Sequence, residues 1–191
     1  MRTIQEMIQA ITARTIRTLG DQEAICVRWY ALAGDFWIDA EDVAIHGSLS
    51  TWLEDEAGLD DEEIAFINNR DYEIMDDNGG LVADFCSYEY FGSIDLKGYI
   101  AAREALEECG GDVDMLKAGI ACSIPLDKIS EAYAGQAESD EDFAQEQWEQ
   151  WGYMENLPAF AANYIDWEMV ARDLVGNGYL SDNGYYFHNN F

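Results

Sequence analysis

The sequence predicts an α+β fold made of small domains, and three observations lead to this prediction. Short β-rich and helical stretches alternate in the first half, helical stretches follow one another in the middle, and a hairpin signal ends the chain. The 191 residues, nearly half of them apolar, suit one large domain or two to three small ones. We expect a helical extension at 1–24, an α/β domain at 25–93, a helical domain at 94–134 and an α/β domain at 135–191.

The N-terminal extension differs in charge from the rest of the chain. Residues 3–19 place apolar side chains at helical spacing, from Ile4 to Leu19, and predict a helix that ends at Gly20. Residues 1–28 carry 4 bases and 3 acids, whereas residues 29–191 carry 6 bases and 36 acids. This contrast sets the extension apart from everything that follows it.

The first α/β domain is predicted from runs of β-branched and aromatic residues, helical spacing and turn residues. These patterns predict strands at 24–32 and 36–40, a helix at 49–57, a helix that begins at the capping-box pair Asp60 and Glu63, and strands at 69–75 and 81–91 around a turn at 76–80.

The remaining elements are mainly helices, and glycine, proline or capping residues mark their ends. They are expected at 95–109, 112–121, 125–133 and 139–151, in a short helix opened by Pro158, and at 166–174. Asp182-Asn183-Gly184 lies between two apolar runs and predicts a terminal hairpin. The aromatic side chains of Trp148, Trp151, Tyr164 and Trp167 are interpreted as core residues, because base-stacking sites come with basic grooves.

Acidity is the dominant property of the chain: 39 acids against 10 bases give a net charge of −29. Such a field repels nucleic acid and anionic membranes and attracts a basic surface. Adaptation to high salt, calcium storage, plain solubility and mimicry of a polyanion all remain open as explanations. No apolar run is long enough to span a bilayer and no signal peptide is recognisable, so we expect a cytoplasmic protein.

The chain lacks the residue patterns on which catalysis usually depends. Its two histidines, His46 and His188, have no metal-ligand spacing, and no nucleophile elbow or glycine-rich phosphate loop is present. The four cysteines have no CxxC spacing and are interpreted as small buried residues. We expect a protein that is not an enzyme and that uses no metal or other cofactor.

The predicted helix at 139–151 separates aromatic from acidic residues. At 100° per residue, one face carries Ala144, Trp148 and Trp151 with Phe143 beside it, and the opposite face carries Glu138, Asp142, Glu146 and Glu149. Carboxylates four residues apart lie about 6 Å apart along the axis, whereas one DNA strand has a phosphate every 3.4 Å or so. Two adjacent acidic rows would therefore be needed to imitate DNA, and an ordinary acidic surface remains the alternative.

A second acidic block extends from Glu54 to Glu63. Acids at 60–63 are explained by the helix dipole, since they stand at a helix N-terminus. Acids at 54–56 are not, because they fall near the end of the preceding helix, where negative charge is unfavourable.

Several segments resemble motifs of the ArdA antirestriction proteins. The run NYIDWEMVARDL at 163–174 looks like the NYIDW-x-x-x-ARDL signature of that family. Residues 133–144 are similar to its YxGxxxSxEDFA segment, residues 88–94 resemble DYEGFGGI, and Gly34 with 37–40 resembles GxWIDA. The order of the segments agrees with the family, while residues 1–24 and 41–87 depart from it.

The resemblance implies an elongated homodimer with three small domains in each chain, whose carboxylates imitate bent B-form DNA. It implies a non-catalytic inhibitor, carried by mobile genetic elements, that fills the DNA groove formed by the specificity and methyltransferase subunits of type I restriction–modification enzymes. Restriction would be blocked, and modification with it.

The candidate phosphate-mimicking residues are the acids of both blocks and those that follow them. They are Glu54, Asp55, Glu56, Asp60, Asp61, Glu62, Glu63, Glu138, Asp140, Glu141, Asp142, Glu146, Glu149, Glu155, Asp166, Glu168 and Asp173. The alternative functions are an acidic binding protein for another basic partner, such as a nucleoid protein, and a calcium-binding protein.

Overall fold

The computed structural model describes residues 1–20, 22–87, 92–158 and 160–191, and it is a mixed α+β structure. The chain divides into two compact units, residues 1–103 and 104–191. The predicted fold class is confirmed at this level, whereas the division into three domains stays a prediction.

Unit 1 contains a three-stranded sheet, a two-stranded ribbon and several helices. They are α1 (Ile4–Thr12), β1 (Ala24–Trp29), β2 (Phe36–Asp39), α2 (Ala40–His46), α3 (Leu49–Asp55), α4 (Asp61–Asn68), β3 (Tyr72–Asp77), α5 (Leu81–Phe85), β4 (Cys86–Ser87), β5 (Ser93–Ile94) and the first part of α6 (Leu96–Glu108).

The sheet of unit 1 has the antiparallel order β2-β1-β3, and β4 and β5 form a separate two-stranded ribbon. Five of the six residues of β1 are buried, a pattern typical of a strand covered on both faces. Trp29 and Trp52 are the largest fully buried side chains of this unit. The central strand and the helices of unit 1 therefore both contribute to its apolar core.

Glu23 connects β1 to two helices of unit 1. Its carboxylate accepts hydrogen bonds from the backbone amide of Leu81 and from the hydroxyl of Tyr99 at 2.6 Å, and it lies 3.9 Å from the guanidinium of Arg103. Arg103 also contacts Glu41 at 3.0 Å. Burial, and then the bond to Glu23, raises the pKa of the Tyr99 hydroxyl, so it remains a neutral donor.

Unit 2 contains the end of α6 and the elements after it. They are α7 (Val113–Ala121), a 3₁₀ turn at Leu126–Lys128, α8 (Ile129–Ala132), β6 (Tyr133–Gln136), α9 (Asp140–Gln150), 3₁₀ turns at Met154–Asn156 and Ala161–Tyr164, α10 (Trp167–Gly178), β7 (Tyr179–Asp182) and β8 (Tyr185–His188).

The sheet of unit 2 has the antiparallel order β6-β8-β7, with β8 in the centre. The predicted terminal hairpin is confirmed: Asn183 and Gly184 form its two-residue turn with φ of +48° and +80°. Positive φ at both positions is the geometry that asparagine followed by glycine favours. The helices α9 and α10 pack against each other beside this sheet.

The prediction of a helix over 3–19 is wrong beyond Thr12. The hydroxyl of Thr15 donates to the carbonyl of Thr12 at 3.0 Å, and the amide of Ile16 donates to the carbonyl of Trp37 in β2 at 2.8 Å. A contact with a distant strand therefore replaces the helical hydrogen bonds that the local pattern suggested.

The prediction of a strand at 81–91 is wrong for its first five residues, which form α5. Gly79 and Gly80 turn the chain with φ of +89° and +70°, and the Glu23 carboxylate receives the first amide of the helix. Residues 86 and 87 do form a strand, and residues 88–91 lie outside the described residues. The predicted helix over 125–133 is a 3₁₀ turn followed by four α-helical residues, and the last helix continues to Gly178.

Ser123 ends α7 in a conformation that favours glycine. Its φ is +60°, and the next amide, that of Ile124, donates to the carbonyl of Gly119 at 3.0 Å, as in a Schellman motif. We predict that Ser123→Gly raises the free energy of unfolding by about 0.5–1 kcal/mol, because glycine adopts this φ without strain.

The matched control is Ala121→Gly, two residues earlier and still inside the helix. This substitution is expected to lower the free energy of unfolding by about 0.5–1 kcal/mol. Chemical denaturation of the full chain measures both effects. A loss of stability in Ser123→Gly would contradict the proposed role of this cap.

Candidate functional site

The acidic block of unit 1 lies on α3, α4 and the loop between them. Its exposed members are Glu54, Asp55, Asp60, Asp61 and Glu62, whereas Glu56 is half-buried. Asp60 is the N-cap of α4, and the two acids that follow it stand in the first helical turn. The helix dipole therefore stabilises this part of the block, as its sequence position indicated.

Glu63 is the buried member of the block, with 2% of its surface exposed. Its carboxylate accepts hydrogen bonds from the backbone amides of Asp60, at 3.1 Å, and Arg2, and it lies 3.4 Å from the Arg2 guanidinium. Asp60 accepts the Glu63 amide in return, which completes the predicted capping box. Glu63 therefore holds the start of α4 and does not present its charge to a partner.

Arg14 and the ring of His46 lie near the acids at the end of α3, where the helix dipole disfavours negative charge. Glu56 is 3.9 Å from the Arg14 guanidinium and 3.7 Å from Nε2 of His46, and Asp55 is 3.9 Å from the same nitrogen. Nδ1 of His46 lies 2.7 Å from the carbonyl oxygen of Asp42, so α2 orients the ring. The unexplained position of these acids thus has a structural reason that the sequence did not reveal.

The acids of unit 2 include four that lie along one open groove of about 540 Å³. This groove, termed the α9 groove, is lined by Glu138, Asp142, Glu146 and Glu149, together with Gln136, Ala137 and Gln145. All four acids are exposed, and three of them stand on successive turns of α9. The helical spacing correctly placed Asp142, Glu146 and Glu149 on one face of α9, whereas Glu138 precedes the helix and lines the same groove from outside it.

An aromatic core beneath α9 fixes the position of that helix. Phe143 stacks on Tyr186 of β8 with ring centroids 3.9 Å apart, and it meets the edge of Tyr179 at 5.0 Å. The Tyr186 hydroxyl donates to the carboxylate of Asp140 at 2.7 Å. Burial, and then this bond, raises the pKa of Tyr186, so the sheet holds the first turn of α9 through a neutral donor.

The buried face of α9 differs from the predicted one. It is formed by Phe143, Ala144 and Gln147, whereas Trp148 is half-buried and Trp151 is 45% exposed. The side chain of Gln147 accepts a hydrogen bond from the Tyr179 hydroxyl at 3.4 Å, which explains how an amide occupies a core position.

Exposed aromatic side chains correct the prediction that the tryptophans and tyrosines of this region form the core. Tyr164 is 84% exposed, and Trp167 is half-buried with its ring 5.5 Å from that of Trp148. The fully buried aromatics of unit 2 are instead Phe143 and Phe187. Helical spacing identified the segment as amphipathic but placed its apolar centre one residue too far along the chain.

The remaining candidate acids of unit 2 are Asp140, Glu141, Glu155, Asp166, Glu168 and Asp173, and all of them are exposed. Asp166 is the N-cap of α10 and accepts the amide of Met169 at 3.1 Å. Asp173 lies 3.6 Å from the Arg172 guanidinium, so part of its charge is neutralised locally. These acids lie outside the lining of the α9 groove.

The groove also contains two amides, Gln136 and Gln145, which were not among the candidate site residues. Gln136 ends β6, a strand that was not predicted because its four residues include a glycine and pair only with the distant β8. Gln145 donates to Glu149 at 3.2 Å. Its position one residue before Glu146 on the acidic face was the available signal.

Within the described ranges, no group of three or more histidine, cysteine, aspartate or glutamate side chains has a geometry suited to a metal ion. The helices in these ranges also include none that is long and apolar enough to cross a membrane. Cys86 is one of the free cysteines, and burial raises the pKa of its thiol to about 11.

Comparison with known protein families gives one match. The family model described as antirestriction protein (ArdA) matches residues 28–187, which is most of the chain. Curated proteins and solved structures gave no match.

The different roles assigned to neighbouring acids can be tested by alanine substitution. We predict that Glu63→Ala lowers the free energy of unfolding by about 1–3 kcal/mol, because it leaves two backbone amides and the Arg2 guanidinium without the carboxylate they contact. The matched substitution Glu62→Ala removes the same charge from an exposed site and should change stability by about 0.5 kcal/mol or less. Equal effects in thermal or chemical denaturation would contradict the structural role of Glu63.

Proposed function

Because the chain belongs to the ArdA family of antirestriction proteins, we propose that it inhibits type I restriction–modification enzymes by occupying their DNA-binding groove. In this proposal the exposed carboxylates take the positions of DNA phosphates against the basic side chains of the enzyme. No residue of the inhibitor reacts, since binding alone excludes DNA.

The observation that carries this proposal is the α9 groove. Four exposed carboxylates line it, and the segment between Lys128 and Arg172 contains no basic residue. A surface that is merely solvated usually mixes both signs of charge. Unit 2 as a whole has 18 acids and 3 bases, a net charge of −15, so a basic partner is attracted before contact is made.

A single row of carboxylates on α9 is sparser than the phosphates of one DNA strand, so imitation of DNA requires acids beside that row. Carboxylates one helical turn apart are separated by about 5–6 Å along the helix, which is wider than the phosphate spacing of one DNA strand. Glu138 adds a carboxylate from the loop before α9, and Asp140 and Glu141 add charge in its first turn. The groove thus has acids on α9 and on the chain that leads into it.

Unit 1 contributes a second set of exposed carboxylates at the α3–α4 block. Its members are Glu54, Asp55, Asp60, Asp61 and Glu62, with Glu56 partly covered. We propose that both sets engage the enzyme, so the binding free energy is spread over many weak contacts. Exposed ion pairs contribute about 0.2–1 kcal/mol each.

We further propose several properties for this protein, because membership of the family suggests them. These are an elongated homodimer of three-domain chains, contact with the specificity and methyltransferase subunits, inhibition of modification as well as restriction, and a cytoplasmic site of action. The acidic character of the chain supports the basic DNA groove as the contact surface.

A plating assay tests this function directly. Unmodified phage should plate with higher efficiency on a host with an active type I enzyme when the host also produces this protein. The variant E138Q/D142N/E146Q/E149Q, which neutralises the α9 groove, should lose this protection, with affinity for the enzyme reduced about tenfold or more.

The matched control is E104Q/E107Q/E108Q/D127N. It makes the same change in charge at exposed positions of unit 2 outside the α9 groove. The control should retain most of the protection when both variants accumulate to the same level. Absence of protection by the natural sequence would refute the proposed function, and equal losses in the two variants would refute the role of the groove.

A further inference from the structure

The N-terminal segment before the family-matched region is a folded part of unit 1. The match begins at residue 28, whereas α1 begins at Ile4. Thr3 and Glu6 form a complete capping box at the start of this helix, and the side chains of Met7 and Ile11 are fully buried. The segment therefore packs through an apolar face, and we call residues 1–17 the N-terminal strap.

Polar contacts attach both ends of the strap to the rest of unit 1. At one end, the Arg2 guanidinium donates to the carbonyl of Gly58 at 2.7 Å and pairs with buried Glu63. At the other end, the amide of Ile16 donates to the carbonyl of Trp37 at 2.8 Å. The first of these contacts lies in the loop between α3 and α4, inside the acidic block.

The strap carries cations to the most acid-rich part of unit 1. It contains Arg2, Arg14 and Arg17 against the single acid Glu6. The Arg14 guanidinium lies 3.9 Å from the carboxylate of Glu56, and both side chains are partly exposed. Residues 54–63 contain seven acids and no base, so the strap supplies positive charge that the block itself lacks.

We propose that the N-terminal strap limits how much of the α3–α4 block a basic partner can engage. Arg14 neutralises Glu56, and Arg2 draws Glu63 into the structure, so the charges left for the partner are those of the five exposed acids. This inference rests on the proposed function for its biological meaning. Its physical content is that a partner's basic groups compete with Arg14 for Glu56.

The competition makes a specific double-mutant prediction. Removing Arg14 frees the Glu56 carboxylate, so R14Q should bind basic partners about two- to fivefold more tightly at low ionic strength. R17Q removes the same charge from the same segment, and the described contacts include no ion pair from Arg17 to the block. R17Q should therefore gain less than half as much on a logarithmic scale.

The E56Q background separates local masking from total charge. If Arg14 acts through Glu56, R14Q should bind no more tightly than R17Q once Glu56 is replaced by glutamine. The cycle requires the natural sequence, R14Q, R17Q, E56Q, R14Q/E56Q and R17Q/E56Q, each as the full chain with an unfolding midpoint that confirms the fold.

The binding probe is a nona-arginine peptide. Its affinity for the block is read from the amide chemical shifts of residues 54–63, so binding elsewhere on the acidic surface does not mask the local effect. Inhibition of a type I enzyme is measured in parallel. If the natural sequence binds the peptide at the block but inhibits no type I enzyme, the proposed function is refuted. The peptide affinities of the variants still decide whether Arg14 masks Glu56.

The expected result is a larger gain in R14Q than in R17Q, and a gain in R14Q/E56Q that does not exceed that of R17Q/E56Q. Equal gains in R14Q and R17Q would show an effect of net charge alone and overturn the proposal. The same is true of an R14Q gain that still exceeds the R17Q gain in the E56Q background, or of weaker binding by R14Q with an unchanged unfolding midpoint.

Discussion

Repulsion between carboxylates is the constraint on which the rest of this structure depends. A chain with a net charge of −29 gains stability only if its cores and a small number of local contacts outweigh that repulsion. The described contacts include ion pairs from six of the ten basic residues. Arg28 forms a two-pronged contact with Asp35 at 2.6 and 2.8 Å, and Arg103 lies between Glu23 and Glu41. Carboxylates with such partners support the fold, and those without a nearby cation remain to attract a basic surface.

The repulsion between carboxylates is offset by different contacts in the two units. In unit 1 the acids of the α3–α4 block stand near helix ends, where backbone amides, Arg2 and Arg14 compensate part of their charge. In unit 2 the acids of α9 have no basic residue between Lys128 and Arg172, so the aromatic packing of Phe143 against Tyr186 must hold the helix in place. An offset or stacked aromatic pair contributes about 0.5–1.5 kcal/mol beyond its buried area. The acidic helix α9 is thus attached to its sheet by this stacked pair.

Local patterns predicted most of the helices with capping residues and the terminal hairpin, because a cap or an Asn-Gly turn acts within a few residues. They missed α2, although Asp39 caps it. They failed where a distant group decides the conformation. Glu23 starts α5 and Trp37 ends the N-terminal helix, and neither partner is visible in the local sequence. The shared face of Asp142, Glu146 and Glu149 was predicted because helical spacing is geometric, whereas the burial of Glu63 was not, because it depends on Arg2, 61 residues away.

If the carboxylates occupy the place of DNA phosphates on a type I enzyme, this protein must displace DNA from that enzyme. A fluorescent duplex that carries the enzyme's recognition site is titrated with this protein at low and moderate salt, and anisotropy reports the bound fraction. We expect full displacement of the duplex and an apparent inhibition constant that rises in proportion to duplex concentration. Inhibition should weaken with added salt, because salt screens the contacts. Inhibition of cleavage while the duplex stays bound, or a constant independent of duplex concentration, would contradict it.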